Sequence, residues 1–222
     1  MLLRPIEEGD WLAVHAWASQ ERVCRYQAWG PNTTEQTREF VREAAKAWTS
    51  SPRTRFVYAI ALDEYVVGNC ELKLHGQDQG EISYGMHPDY WGKGLATDAA
   101  SQLVQLGFEE HNLHRVFATC DPRNIASAAL LRRLGMSYEG RMRETMLIRD
   151  GWRDSDLYSV LAHEWQVRPD AEPANARPPA AGTAPMPLGT ITPPVATAAW
   201  LPESPHRLVV SVREEQWNEE LR

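Results

Sequence analysis

Between Ser83 and Thr97 the chain reads SYGMHPDYWGKGLAT, and this run constrains the fold more than any other. An alternating stretch, Glu81–His87, reads as a strand and is halted by Pro88. A turn then holds Gly92 and Gly94, and a helix expected over Leu95–Glu110 starts at once. The arrangement suits anion binding. The first amides of a helix lack partners within it, and the helix dipole places about half a positive charge there. Glycine at 92 and 94 lets the backbone approach a pyrophosphate with no Cβ between them, and Lys93 adds charge at the same mouth. A P-loop is excluded, because Lys93 is followed by Gly94 rather than Ser or Thr. A dinucleotide fingerprint fits poorly: Thr97 stands at its sixth position, and Asp121 comes late for the ribose-binding acid.

The rhythm around this segment is mixed. Leu2–Ile6 reads as a strand, and Asp10 is placed to cap a helix running to about Glu21. Thr34–Trp48 reads as a second helix, Phe56–Leu62 and Val66–Leu74 as a hairpin, and Arg115–Cys120 as a strand. Ile125–Leu134 reads as a helix stopped by Gly135, and Tyr138–Arg149 with Trp152–Leu161 as a hairpin across Asp150-Gly151. A meander followed by β–α crossovers implies one mixed α/β sheet with helices on its faces. Of 15 prolines, ten lie between Pro169 and Pro205 among Ala, Gly and Thr. Hence a domain is expected over residues 1–167, an extended, mobile linker over 168–205 and a short tail segment over 206–222.

Composition narrows the function. Lys plus Arg total 23 against 30 Asp plus Glu, a net charge of −7, which argues against a protein that coats nucleic acid. Cys24, Cys70 and Cys120 are widely spaced, so neither a disulfide framework nor a metal site is expected. No apolar run approaches ~18 residues and the start lacks a signal-peptide core, so a soluble, cytoplasmic protein with no membrane partner is the expectation.

Several ordered motifs resemble the GNAT N-acetyltransferases, in particular the branch of Rim-type ribosomal-protein N-terminal acetyltransferases. Asp89-Tyr-Trp-Gly-Lys-Gly94-Leu-Ala aligns with that family's (R/Q)xxGxG(A) signature, departing at Asp89. Asn124-Ile-Ala-Ser127 running on to Leu134-Gly135, and Arg143-Glu144 with Asp150-Gly-Trp-Arg-Asp154, match its later motifs. The resemblance covers nearly all of residues 1–167. It implies the acyl-CoA N-acyltransferase fold, with Glu81–His87 and Arg115–Cys120 as parallel neighbours splayed apart.

The resemblance also implies a function: transfer of acetyl from acetyl-CoA to a primary amine, on a protein N-terminus or a small molecule. The pantetheine arm would lie in the splay against Met86 and His87, and the pyrophosphate on the amides of Trp91, Gly92, Lys93, Gly94, Leu95, Ala96 and Thr97. Asn124 and Ser127 would approach from the other side, and Arg132 and Arg133 would sit near CoA's outer phosphate. Many members carry an acidic tyrosine seven residues after the Asn, where this chain has Leu131. That departure moves the acid role to Ser127. Glu81 and Glu144, with Glu71, are the candidate bases, and a water relay is the alternative. Trp29 is expected to face the acceptor. A non-catalytic acyl-CoA-binding module acting through its tail is the competing reading, and the oligomeric state is open, a homodimer included.

Overall fold

A computed structural model describes residues 1–76 and 78–166. The linker expected at 168–205 and the tail segment at 206–222 lie outside the described residues. In chain order the elements are β1 (Leu2–Pro5), α1 (Trp11–Ala18), α2 (Glu21–Cys24), α3 (Thr34–Ala47), β2 (Arg55–Leu62), β3 (Tyr65–His75) and β4 (Gln79–Met86). Then come α4 (Leu95–Glu109), β5 (Arg115–Cys120), α5 (Ile125–Arg133), β6 (Ser137–Ile148), β7 (Gly151–Leu161) and α6 (Ala162–Gln166).

Local chemistry explains most boundaries. The Thr33 hydroxyl accepts from the Gln36 amide at 3.2 Å while the Gln36 side chain accepts from the Thr33 amide at 2.8 Å, a reciprocal cap that starts α3. Asp63 and Gly151, both at positive φ, turn the β2–β3 and β6–β7 hairpins. Asp10 departs from expectation. Its carboxylate takes two hydrogen bonds from Arg4, at 2.6 and 2.8 Å, and one from the Glu7 amide, so it ties β1 to the following turn and does not cap α1. The first helix also stops at Ala18, short of Glu21. There the Ser19 hydroxyl bonds the His15 carbonyl at 2.7 Å, and Gln20 then adopts an extended backbone.

Among the described residues the strands form one seven-stranded sheet in the order β1-β2-β3-β4-β5-β7-β6. All neighbours are antiparallel except β4 and β5. One face carries α1 and α3, packing Val14, Trp17, Val41 and Ala44 on Ile6, Val57 and Ala59. The other carries α4 and α5, packing Ala99, Leu103, Ala128 and Leu131 on Ile60, Leu72, Ile82, Val116 and Tyr158. Apolar area leaves water on both faces, so the sheet is the middle layer.

Candidate active site: the gap between two diverging strands

The parallel ladder between β4 and β5 has three pairs, Gln79↔Arg115, Gly80↔Val116 and Glu81↔Phe117, and then stops. Beyond it β4 stays paired to β3 as far as Met86↔Gly68, and β5 stays paired to β7 as far as Cys120↔Asp156. The two strands therefore part like a V, as expected, and each presents an unladdered edge to the gap. The His87 amide donates to the Val67 carbonyl of β3 at 2.8 Å. By strand alternation the backbone groups of Met86, Tyr84 and Ile82 turn the other way, into the gap. His87 was expected to offer its backbone to a ligand, but its amide is held by β3. The Met86 carbonyl accepts from the Trp91 indole at 3.0 Å, and the Trp91 ring is half exposed at the mouth.

Gly92 and Gly94 sit at φ +73° and +83°, where an L side chain is strained, and a Cβ on either would meet nothing within 4 Å. Their conformation, rather than crowding within the protein, requires glycine. The amides of Thr97 and Asp98 both turn back to the Gly94 carbonyl, at 2.8 and 3.0 Å. Leu95 and Ala96 are the first two residues of α4, too early for their amides to reach a carbonyl of that helix. The donors at the helix mouth are thus concentrated before Thr97, whose hydroxyl rather than amide is left for a ligand. The Lys93 ammonium lies over the Tyr90 ring, 4.9 Å from its centroid.

Across the gap, Asn124 caps α5: its side-chain oxygen accepts from the Ser127 amide at 3.1 Å. That fixes Ser127 in the first turn with its hydroxyl directed at β4, where the Tyr84 hydroxyl lies 2.8 Å from Ser127 Oγ. Burial pushes the Tyr84 phenol well above its ordinary range, so it keeps its proton. At the end of β5, burial pushes the Cys120 thiol up to about 11, leaving it unreactive. Leu131 is fully buried in the α4–α5 face of the core and brings no hydroxyl to the gap. Arg132 donates to the Tyr158 hydroxyl at 3.0 Å, which engages it against the sheet.

The expected bases do not join this cluster. Glu81 belongs to the last pair of the ladder and its carboxylate meets His75 at 3.1 Å. It is three residues before Tyr84, about 10 Å along the strand, and on the opposite face. Glu144 lies in a bulge of β6 where pairing jumps from Met142↔Ser155 to Met146↔Arg153. It adopts φ +50°, donates its amide to Asp154 and is exposed. With β7 between it and β5, it is about 10 Å from that strand. Glu71 is held by Arg55 through two hydrogen bonds, at 2.8 and 3.1 Å. Tyr84 was not anticipated. Alternation places it with Ile82 and Met86, but nothing local in the sequence pairs it with a serine 43 positions away.

On the α1–α3 face, Gly85 makes room for Trp17: a Cβ there would stand 3.2 Å from two of its ring carbons. Trp29 meets Trp17 edge-on with ring centroids 6.2 Å apart, and so packs on α1 while remaining partly open. Arg149, at the β6–β7 turn, donates to the carbonyls of Cys24, Trp29 and Gly30 and straps that loop to the hairpin. Arg123 bonds both Asp121 and Asp150 and lies 5.8 Å from the Tyr26 ring centroid. Burial raises the Asp121 carboxyl, but hydrogen bonds from the Arg123 side chain and amide outweigh this and hold it below its ordinary value.

Residues 1–137 match a family model described as an acetyltransferase (GNAT) domain. The chain is 31% identical over 166 residues to the N-acetyltransferase YnaD of Bacillus subtilis, covering 74% of this chain and 95% of that one. It is 29% identical over 165 residues to the spermidine N(1)-acetyltransferase of Escherichia coli K12, covering 73% and 87%. A GNAT-family acetyltransferase from Bacillus anthracis superposes with a TM-score of 0.65 at 32% identity over 73% of this chain and 95% of that one. The ribosomal L7/L12 alpha-N-protein acetyltransferase RimL, solved with coenzyme A, shares the fold at a TM-score of 0.63 and 19% identity, over 72% and 92%. Among the described residues no group of side chains is arranged to hold a metal ion, and no helix is long and apolar enough to cross a membrane.

Proposed function

As this chain belongs to the GNAT acetyltransferase family, we propose that it transfers acetyl from acetyl-CoA directly to a primary amine while both are bound. The observation carrying this reading is the early end of the β4–β5 ladder, with Ser127 facing Tyr84 just beyond it. The gap-facing backbone of Ile82, Tyr84 and Met86 would pair with the amides of the pantetheine arm as an added strand does. The Trp91 indole yields the Met86 carbonyl when the arm enters. The amides from Gly92 to Ala96 take the diphosphate, aided by the dipole of α4.

The acceptor amine enters from the α1–α3 face, between the Cys24–Gly30 loop and the β6–β7 turn. It must be neutral to attack; the carboxylates of Glu71, Glu81 and Asp121 are engaged by Arg55, His75 and Arg123, and Glu144 is exposed to solvent. Its proton therefore passes to solvent water. As the C–S bond breaks, the Ser127 hydroxyl hydrogen-bonds the sulfur and steadies its developing negative charge while keeping its own proton; CoA leaves as the thiolate, which takes its proton from water. Holding both reactants in one cleft supplies much of the rate by orientation alone.

The test measures thiol release from acetyl-CoA with peptide N-termini, spermidine and small amines, alongside calorimetry of CoA binding. Saturable release with at least one amine, lowered tenfold or more by Ser127→Ala, is expected. Absence of CoA binding refutes the reading. Binding without turnover on any amine favours a sensor module instead.

A further inference from the structure

Resting on the proposed transfer reaction, we propose that Tyr84 is a positioning residue for the leaving-group step, donating its phenolic hydrogen to Ser127 Oγ so that the serine's own hydrogen points at the thioester sulfur. The contact spans 2.8 Å between two elements that the diverging ladder has separated, β4 and the first turn of α5. A serine hydroxyl is one donor on a free rotor, with lone pairs that accept. In the bond between Tyr84 and Ser127 the phenol is the more acidic hydroxyl and so the better donor, which leaves the serine as acceptor. Once its lone pair is engaged, the Ser127 hydrogen is directed away from Tyr84 into the space between the strands.

Three surrounding features support this assignment. Among the described residues the Ser127 hydroxyl bonds no backbone carbonyl, the usual way a helical serine is oriented, and its partner is the Tyr84 hydroxyl. Leu131, two turns after Asn124, is fully buried, so α5 brings no phenol of its own to the gap. Tyr84 stands on the stretch of β4 whose backbone turns toward the gap, so a ligand paired there would run past the phenol. No proton leaves Tyr84 in this scheme. It fixes a rotor, and its burial keeps the donor hydrogen in place across the working range.

The experiment is a double-mutant cycle in the full-length chain, with acetyl-CoA and the fastest amine among peptide N-termini, spermidine and small amines. Tyr84→Phe keeps the ring that packs in the core and removes only the donor. It is expected to lower kcat about tenfold, the scale of one lost hydrogen bond, with KM for acetyl-CoA within twofold of the parent. In a Ser127→Ala background the same change is expected to have no further effect, because the group it orients is gone. A tenfold loss in both backgrounds overturns the proposal, as does an unchanged kcat in Tyr84→Phe or a loss confined to KM. Ser127→Ala at full activity overturns it too while leaving acetyl transfer standing. A parent protein that turns over no amine removes the reaction itself, and this proposal with it. If Tyr84→Phe melts much earlier than the parent, 3-fluorotyrosine at position 84 keeps shape and donor. It is expected to retain kcat within twofold, and a tenfold loss there refutes the assignment.

Discussion

Replacing Gly94 with alanine separates what the glycine does for the fold from what it does for the ligand. The residue sits at φ +83° and ψ −17°, and an added Cβ meets nothing within 4 Å. The cost to the folded protein is therefore backbone strain alone, about 1–2 kcal/mol for an L residue in this region. The loss of freedom that alanine imposes on the unfolded chain offsets part of that, by about 0.4–1 kcal/mol. A net loss near 1 kcal/mol corresponds to a fall in Tm of about 2–4 °C for a domain of this size. That strain is present with or without ligand, so it cancels in the binding equilibrium. Any loss of affinity must come from the methyl group standing where the diphosphate sits. Displacing one charge-assisted hydrogen bond costs about 2 kcal/mol, or roughly 30-fold in Kd. Gly76 supplies the control: at φ +64°, also with nothing within 4 Å, it lies in the β3–β4 turn away from the gap. Thermal melts and CoA calorimetry on both variants are expected to show similar small stability losses and a 30-fold affinity loss for Gly94→Ala alone. Equal CoA affinity in the two variants would refute the placement of the diphosphate.

Arg149→Ala removes the strap on the Cys24–Gly30 carbonyls, so amide exchange over residues 24–31 is expected to rise at least tenfold. KM for the amine should rise while CoA affinity holds, and an unchanged exchange pattern would contradict the strap. The Asp121 carboxyl titrates below its unfolded value, so its stabilising contribution is complete above about pH 4 and is lost as pH falls through the lower folded value. Melts from pH 7 down to pH 3 should show Asp121→Asn less stable at neutrality and less acid-sensitive than the parent; parallel curves would contradict the linkage. Burial raises all three thiols, Cys24 and Cys120 to about 11 and Cys70 further. A thiol reagent at pH 7.5 should therefore react slowly with the native chain and with three equivalents in denaturant, and fast native labelling would show that the gap exposes Cys120.

What the chain discloses about itself divides by sequence distance. Features written within a few residues were legible: Pro88 ending a strand, the start of α3 at Thr34, the Asp150-Gly151 turn, Gly135 after α5. So was the gap, because the motifs resembling a known family carried its topology with them. Asp10 shows where local reading fails. A carboxylate before a helix is a cap only if nothing stronger claims it, and Arg4, from the neighbouring strand, does. Glu144 fails for a different reason. Two-residue alternation fixes a strand residue's face until a bulge intervenes, and the irregular pairing between Met142 and Met146 leaves no regular face to assign. Tyr84 marks the limit most clearly. Following α5 alone ends at Leu131, since helical periodicity says which face a residue takes and nothing about what an adjacent strand brings to that face. The hydroxyl that meets Ser127 arrives from β4, and only the divergence of β4 from β5 makes that meeting matter. In the proposed scheme the phenol on that opposite wall acts through Ser127 and not on the sulfur itself, so it does not stand in for a tyrosine at the Leu131 position.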